Sequence, residues 1–226
     1  MMHWLENWII PPRCVISGES GAGIDLSADV IDSLKKPKAV CPQCCEFSAD
    51  GGVCGACLAK PPAFERTQVG YYFAGDLIEL IHGLKYAKHT AYARLLAELL
   101  VEQIESTDVE ALIAVPVHQK RWRSRGFNQA QLIAESLGKE LNIPVLKHVV
   151  SRIKDTPSQT GLTATQREAN LKGAFTVDVN KLQGLQNIAL MDDVITTGAT
   201  IRNLAELLKS QTNVGYIEAW AIAKTQ

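Results

Sequence analysis

The stretch NIALMDDVITTGATIRNL, residues 187–204, constrains the fold more than any other part of the chain. Ile188 to Met191 form an unbroken apolar run, which suits a strand buried on both faces. Strands of that kind occur in parallel sheets whose crossover helices cover both sides. The run ends in two adjacent acids, Asp192 and Asp193. After Val194 and Ile195 come Thr196, Thr197, Gly198, Ala199 and Thr200, and then a helical pattern. In open parallel sheets, ligands bind beyond the carboxyl ends of the strands, where this acid pair and its loop fall.

The flanking sequence agrees with such a sheet. Val69, Tyr71 and Phe73 alternate as in a strand, and ALIAVPV, VLKHVV and VGYIEAWAIAK read as further strands. Between them, GDLIELIHGLKY, TAYARLLAELLVEQIES, FNQAQLIAESLGKELNI and TIRNLAELLKSQ carry apolar residues at helical spacing. TGLTATQREANLKGAF is expected to begin as a loop and become a helix. The expected class is therefore α/β: a mainly parallel twisted sheet flanked by helices, over residues 66–226, with right-handed crossovers. Residues 1–65 differ. They hold all six cysteines and only short periodic stretches, so they are set apart as a small N-terminal metal-binding module. No internal repeat is visible.

Composition limits the partners. The net charge is −1, so no global field draws the chain to nucleic acid or to a membrane surface. No run of 18 or more apolar residues predicts a membrane span. MMHWLENWIIPPRC has Glu6 and lacks the basic start and small-residue cleavage site of an export signal. It is expected to be a short helix packing two tryptophans on the body. A cytoplasmic location is expected.

The acids and the loop suggest a chemistry. Asp192 and Asp193 offer acceptors for vicinal sugar hydroxyls. The helix start at Thr196–Thr200 offers free backbone N–H groups, threonine hydroxyls and the positive end of the helix dipole to an anion. Gly198 allows close backbone approach. A ribose 5-phosphate carries both features a few ångströms apart. The bland alternative is a strand ending in solvated acids before a Thr/Gly helix start.

A basic block, HQKRWRSRG, follows the strand at 112–117 and is expected to form a loop. Lys120, Arg121, Arg123 and Arg125 suit phosphate oxygens, and Trp122 among them suits base stacking. A solvated basic turn is the alternative. Further on, SRIKDTPSQTGLTATQREANLKGAF contains Arg152, Lys154 and Arg167 in a long loop-like run, the kind that often forms a lid.

Cys41-x-x-Cys44 and Cys54-x-x-Cys57, nine residues apart, are spaced to bring four thiolates around one tetrahedral ion, with Zn2+ the default. A module this small depends on its metal for stability.

LMDDVITTGAT resembles the phosphoribosyl-pyrophosphate (PRPP) signature of type I phosphoribosyltransferases. The resemblance implies that Asp192 and Asp193 bind the ribose hydroxyls, with Mg2+ nearby, and that Thr196 to Thr200 hold the 5′-phosphate. Thr196 stands where hypoxanthine-guanine enzymes usually have Asp, which argues against a 6-oxopurine substrate. Taken with LIHGLKY, RWRSRGFNQAQLIA and the RIKDTPSQTG run, the chain resembles the ComF/GntX family of phosphoribosyltransferase-like proteins from about Cys41 onward. That implies a type I phosphoribosyltransferase-like fold with a zinc-ribbon-like segment. It also implies a role in natural transformation, handling single-stranded DNA. Within it, Lys85, Arg121, Arg123, Arg125, Arg152 and Lys154 would contact pyrophosphate or DNA phosphate, the last two from a flexible hood. Relatives often carry a further CxxC pair nearer the N-terminus. Here CVISG keeps Cys14 but has Ser17, so an extra metal site is expected to be lost. Cys45 takes a position usually held by Gly, as a bystander or as a ligand in place of Cys44. Three roles are open: a PRPP- and DNA-binding competence protein, an active phosphoribosyltransferase on a nitrogen acceptor, and an adaptor docking a DNA-uptake helicase or channel.

Overall fold

A computed structural model describes residues 11–105, 107–155 and 173–226. The expected tryptophan helix at the N-terminus, the expected helix after residue 160 and Arg167 of the hood lie outside the described residues.

Among the described residues, four strands make the main sheet: β1 (Arg66–Tyr72), β2 (Ala111–Ala114), β5 (Asn187–Ile195) and β6 (Tyr216–Lys224). Their order is β1-β6-β5-β2, and every neighbouring pair is parallel. β5 is central, and Ile188, Ala189, Leu190 and Met191 are fully buried. That burial on both faces is why the run is continuously apolar. β3 (Val150–Arg152) and β4 (Phe175–Val177) form a separate antiparallel pair.

The helices sort onto the two faces by their apolar stripes. On one face lie α1 (Ala28–Ser33), α3 (Asp76–Lys85), α4 (Tyr92–Val101) and α6 (Gln129–Leu141). Their Leu77, Leu80, Ile81, Leu84, Leu96, Leu100, Ile133 and Leu137 share a core with Met191, Trp220 and Ile222. On the other face, α7 (Ala199–Gln211) and the β3–β4 pair pack against Ile188, Leu190, Ile217 and Ala219. Each buried leucine or isoleucine contributes about 1.5–3 kcal/mol. At the sheet's amino end, buried Glu218 accepts from Gln68 Nε2 at 2.7 Å, Trp220 Nε1 at 2.7 Å and Thr107 Oγ1 at 2.9 Å, so its charge is well satisfied.

The structure contains a repeat that side-chain comparison did not show. Cys14, Ser17, Ser27 and Val30 each stand 27 positions before Cys41, Cys44, Cys54 and Cys57. The backbone bonds repeat at the same offset. Cys14 N–H donates to Glu19 O and Gly18 N–H to Cys14 O; Cys41 N–H donates to Glu46 O and Cys45 N–H to Cys41 O. Gly21 N–H to Pro12 O matches Ser48 N–H to Ala39 O, and the bridge Arg13–Ser20 matches Val40–Phe47. Gly18 and Cys45 both have positive φ, 75° and 58°. Ser27 occupies the N-cap position of α1 as Cys54 does that of α2 (Gly55–Ala59), neither with a side-chain cap bond. Residues 13–30 are thus a first knuckle, with one cysteine of the four, and residues 40–57 are the second. Sequence comparison missed it because the shared feature is backbone hydrogen bonding, which does not require the same side chains.

A candidate sugar-phosphate cleft and a four-cysteine cluster

β5 outruns its neighbour. Its pairing with β2 stops at Met191, after which the chain past β2 turns away through Val115 and Pro116. The last residues of β5 therefore border an open crevice. A cleft of about 460 Å3 lies there, lined by Lys85, Arg121, Arg125, Arg152, Asp192, Asp193, Thr196 and Gly198 to Thr200, among others.

Pleating resolves the puzzle of adjacent acids, because successive side chains leave a strand on opposite faces. Asp193 is buried and faces α3, where Lys85 Nζ lies 2.5 Å from its Oδ2. This is an ion pair held by charge rather than by an aligned hydrogen bond. Lys85 is the last residue of α3, where the helix dipole favours a cation. Asp192 is half-buried, and its Oδ1 accepts from the Asp193 N–H at 2.9 Å. Burial and the Asp193 charge push Asp192 well above the usual carboxylate range, with Lys85 pulling the other way. On the same side, burial and the charge of Arg121 lower Arg152, while Asp192 raises it.

The threonine loop leads directly into α7. Gly198 has φ 71° and occupies the helix N-cap with no side-chain cap bond. That left-handed conformation is available to Gly at little cost. Thr197 Oγ1 is buried and has no hydrogen-bond partner, and Thr197 is absent from the cleft lining while Thr196 and Thr200 are in it. An uncapped helix start that borders the cleft offers its backbone N–H groups to an anion.

The basic block is a helix, α5 (Gln119–Arg125), rather than a loop. His118 caps it by accepting from Lys120 N–H, and Gly126 at φ 88° ends it. The helix decides which arginines meet. Arg121 and Arg125 are four apart, on one face, and both line the cleft. Arg123 is exposed and absent from the lining, as is Lys154. Arg125 donates to Gln129 Oε1 at 3.1 Å and sits 5.3 Å from the Tyr86 ring centroid. Trp122 is 52% exposed on the outer side. Lys120 pairs with Asp155 at 2.6 Å.

Sequence reasoning passed over three contributors. Tyr86 supports Arg125 and lines the cleft. Asn128, also in the lining, caps α6 and donates to Val115 O at 2.9 Å, fixing the turn after β2. Arg202, in the first turn of α7, is outside the cleft lining but adjoins the loop, its guanidinium 4.0 Å from where a Gly198 Cβ would stand. An Asn directly before a helical stripe was a readable cap signal; the Tyr86 contact with Arg125 depends on the tertiary fold.

Cys41, Cys44, Cys54 and Cys57 have sulfur atoms all within 4.8 Å of one another. Cys44 Sγ and Cys54 Sγ are 3.6 Å apart, and Cys54 N–H donates to Cys41 Sγ at 3.3 Å. Burial pushes the Cys44 thiol up to about 11 and raises Cys57 too. Cys45 is buried and stands outside the cluster. A soft four-sulfur set this compact fits a divalent metal ion.

No family model matches the chain. Among curated proteins, it is 36% identical over 180 residues to competence protein F of Haemophilus influenzae, covering 76% of this chain and 78% of that protein. The chain belongs to the ComF family. This ComF protein is also 32% identical over 201 residues to DNA utilization protein YhgH of Escherichia coli K12, covering 85% of this chain and 87% of the relative. Competence protein ComFC of Bacillus subtilis matches at 28% over 114 residues, 50% of this chain and 44% of that one. Among solved structures, adenine phosphoribosyltransferase of Thermoanaerobacter pseudethanolicus superposes on 61% of this chain and 83% of its own, at 17% identity and a TM-score of 0.38. A superposition that loose is no basis for assigning a substrate.

Proposed function

We propose that this ComF-family chain is a PRPP-binding, phosphoribosyltransferase-like protein that handles single-stranded DNA during DNA uptake, on the cytoplasmic side. The observation that carries the reading is the cleft at the end of β5, where two carboxylates, an uncapped helix start and three arginines converge. Acceptors for ribose hydroxyls stand beside donors for a 5′-phosphate, with guanidinium groups across from them for a pyrophosphate. The names of the relatives, competence protein F and DNA utilization protein, support the DNA-uptake part.

Each group has a task on this reading. Asp192 and Asp193 accept from the ribose hydroxyls, and Lys85 offsets the charge of Asp193 until ligand arrives. The N–H groups at the start of α7 donate to the 5′-phosphate. Arg121, Arg125 and Arg152 bind the pyrophosphate, and Tyr86 and Gln129 hold Arg125 in place. Mg2+, bound with PRPP beside the two acids, would add positive charge to the pyrophosphate. Zn2+ on Cys41, Cys44, Cys54 and Cys57 would close the second knuckle as a structural ion. On the outer side of α5, exposed Trp122 and Arg123 suit a base and a phosphate of single-stranded DNA.

Titration calorimetry with Mg2+·PRPP tests the cleft. Binding is expected for the wild type and is expected to be lost in Asp193→Asn; absence of heat at millimolar PRPP sinks the sugar-phosphate reading. A labelled oligonucleotide tests the DNA part. Its affinity is expected to fall with salt, since phosphate contacts release counterions. No shift at micromolar protein in low salt removes the DNA role of the isolated chain.

A further inference from the structure

A buried lysine joins the cysteine knuckle to the threonine loop. Lys224, the last residue of β6, is 3% exposed. Its ammonium lies 2.7 Å from Glu46 Oε1 and donates to the carbonyls of Thr196 at 3.2 Å and Thr225 at 3.3 Å. An ammonium has three donors, and all three are used. The backbone of Lys224 is also fixed: its carbonyl accepts from Phe73 N–H at 2.8 Å, and it registers with Ile195 of β5.

The two ends of this contact belong to different structures. Glu46 is part of the second knuckle, where its own carbonyl accepts the Cys41 N–H at 2.8 Å. Thr196 opens the loop that precedes α7. Glu46 is itself 58% exposed along its side chain, so it is held in place by the knuckle backbone rather than by burial. A buried ammonium that loses its carboxylate partner is strongly disfavoured and seeks other acceptors or solvent. The Thr196 carbonyl then loses the donor that fixes it. Folding of the knuckle in turn depends on its metal.

We infer that Lys224 is a positioning residue: through Glu46 it transmits the metal-held shape of the cysteine knuckle to Thr196, so that metal occupancy fixes the geometry of the 196–200 loop. The consequence for ligand affinity rests on the reading of that loop as a 5′-phosphate site. The coupling itself does not.

The experiment uses the full chain loaded with zinc and follows amide hydrogen exchange across residues 196–200, alongside calorimetry with ribose 5-phosphate. Glu46→Gln keeps all four cysteines and removes only the charge. It is expected to speed exchange in the loop by roughly five-fold or more, as a local opening rather than a global one. Zinc content and the exchange of α3 and α4 are expected to stay at wild-type levels, which a general loss of stability would not allow. Lys224→Met is expected to match it, and Glu46→Gln combined with Lys224→Met to add little, because the two act through one contact. Chelating zinc from the wild type is expected to loosen the same amides. Lys224→Arg is expected to restore part of the protection. Wild-type loop exchange in Glu46→Gln overturns the proposal, even if Lys224→Met does not fold. If the wild type takes up no ribose 5-phosphate while the loop still responds to Glu46→Gln, the coupling stands and the phosphate assignment fails.

Discussion

Replacing Lys85 with methionine isolates the electrostatics of the acid pair. The chain length and apolar stem of the side chain are kept and the charge is removed. In the wild type, Lys85 Nζ is 2.5 Å from Asp193 Oδ2, with side-chain exposures of 17% and 7%. Breaking a buried ion pair by removing one partner costs about 3–5 kcal/mol, because the other charge is left uncompensated. Lys85 keeps some contact with water, so the low end applies, about 3 kcal/mol. For a chain of this size that lowers Tm by roughly 6–12 °C. The loss depends on pH. Asp192 already sits above the usual carboxylate range, through burial and the charge of Asp193, and the Lys85 charge is among the influences holding it down. The native state therefore holds more protons than the unfolded chain between the ordinary carboxylate pKa and the raised one. Stability falls as pH rises through that window. Without Lys85 the raised value moves higher, so the window widens and the deficit grows with pH. On the proposed reading of the acid pair, a divalent cation takes over the lost charge, and Mg2+ at ten times its dissociation constant is expected to restore about 1.4 kcal/mol. The assay is thermal unfolding of both proteins at several pH values, with and without Mg2+. A variant within 1 °C of wild type at pH 8, unresponsive to Mg2+, refutes the reasoning, because Asp193 would then need no cation.

Three further outcomes follow from the same geometry. Gly198→Ala meets open space, with Ile195 Cγ2 at 3.9 Å and Arg202 at 4.0 Å, so its cost is the left-handed backbone alone, about 1–2 kcal/mol; a thermal melt reads it, and a neutral result removes the conformational argument. Arg121→Ala and Arg125→Ala are each expected to weaken PRPP binding about ten-fold or more, as expected for a charged hydrogen bond, whereas Arg123→Ala stays near wild type in the same titration; equal losses at all three positions contradict the one-face geometry of α5. The triple substitution Ser17→Cys, Ser27→Cys, Val30→Cys is expected to raise bound zinc from one ion per chain to two, measured by elemental analysis, and cobalt substitution should double the thiolate absorption; a variant that still holds one ion breaks the equivalence of the knuckles.

The central strand was legible because burial on both faces leaves a run of apolar residues, and the acid pair announced where the strand leaves the core. The helical stripes of α3, α4, α6 and α7 were equally plain. The basic block reads as a loop by its charge, although Lys and Arg are good helix formers and Gly126 is a stop signal. Dense charge is compatible with a phosphate-binding loop and with a helix alike, and only the caps at His118 and Gly126 separate the two. That difference selects among the arginines, since only a helix separates Arg123 from Arg121 and Arg125. The pairing of Lys85 with Asp193 was not legible at all. It links residues more than a hundred positions apart, and nothing local to either marks it. Lys224 and Glu46 are hidden for the same reason.

The two knuckles show why one backbone pattern can keep its shape with and without a four-sulfur set. In the second, the cysteines stand outside both apolar cores, and Phe47 and Leu58 are 74% and 70% exposed. Little apolar burial holds it, so a metal bound by its four cysteines would have a structural role there. In the first, Val30 stands at the position of Cys57 and is buried among Leu26, Leu34, Leu77 and Leu80 in the main core. Ser17 and Ser27 stand where two more ligands would be, their hydroxyls 3.4 Å apart. The Ser17 N–H donates to Cys14 Sγ at 3.3 Å, and the hydrogen bonds from Ser17 and Ser27 bring that thiol down to about 6 against the opposing effect of burial. Arg94 of α4 adds an ion pair to Asp25 at 3.2 Å. Hydrogen bonds to one sulfur and apolar packing thus do in the first knuckle what a metal would do in the second. The dependence of stability on metal should therefore be confined to the second knuckle and to the loop it reaches through Lys224.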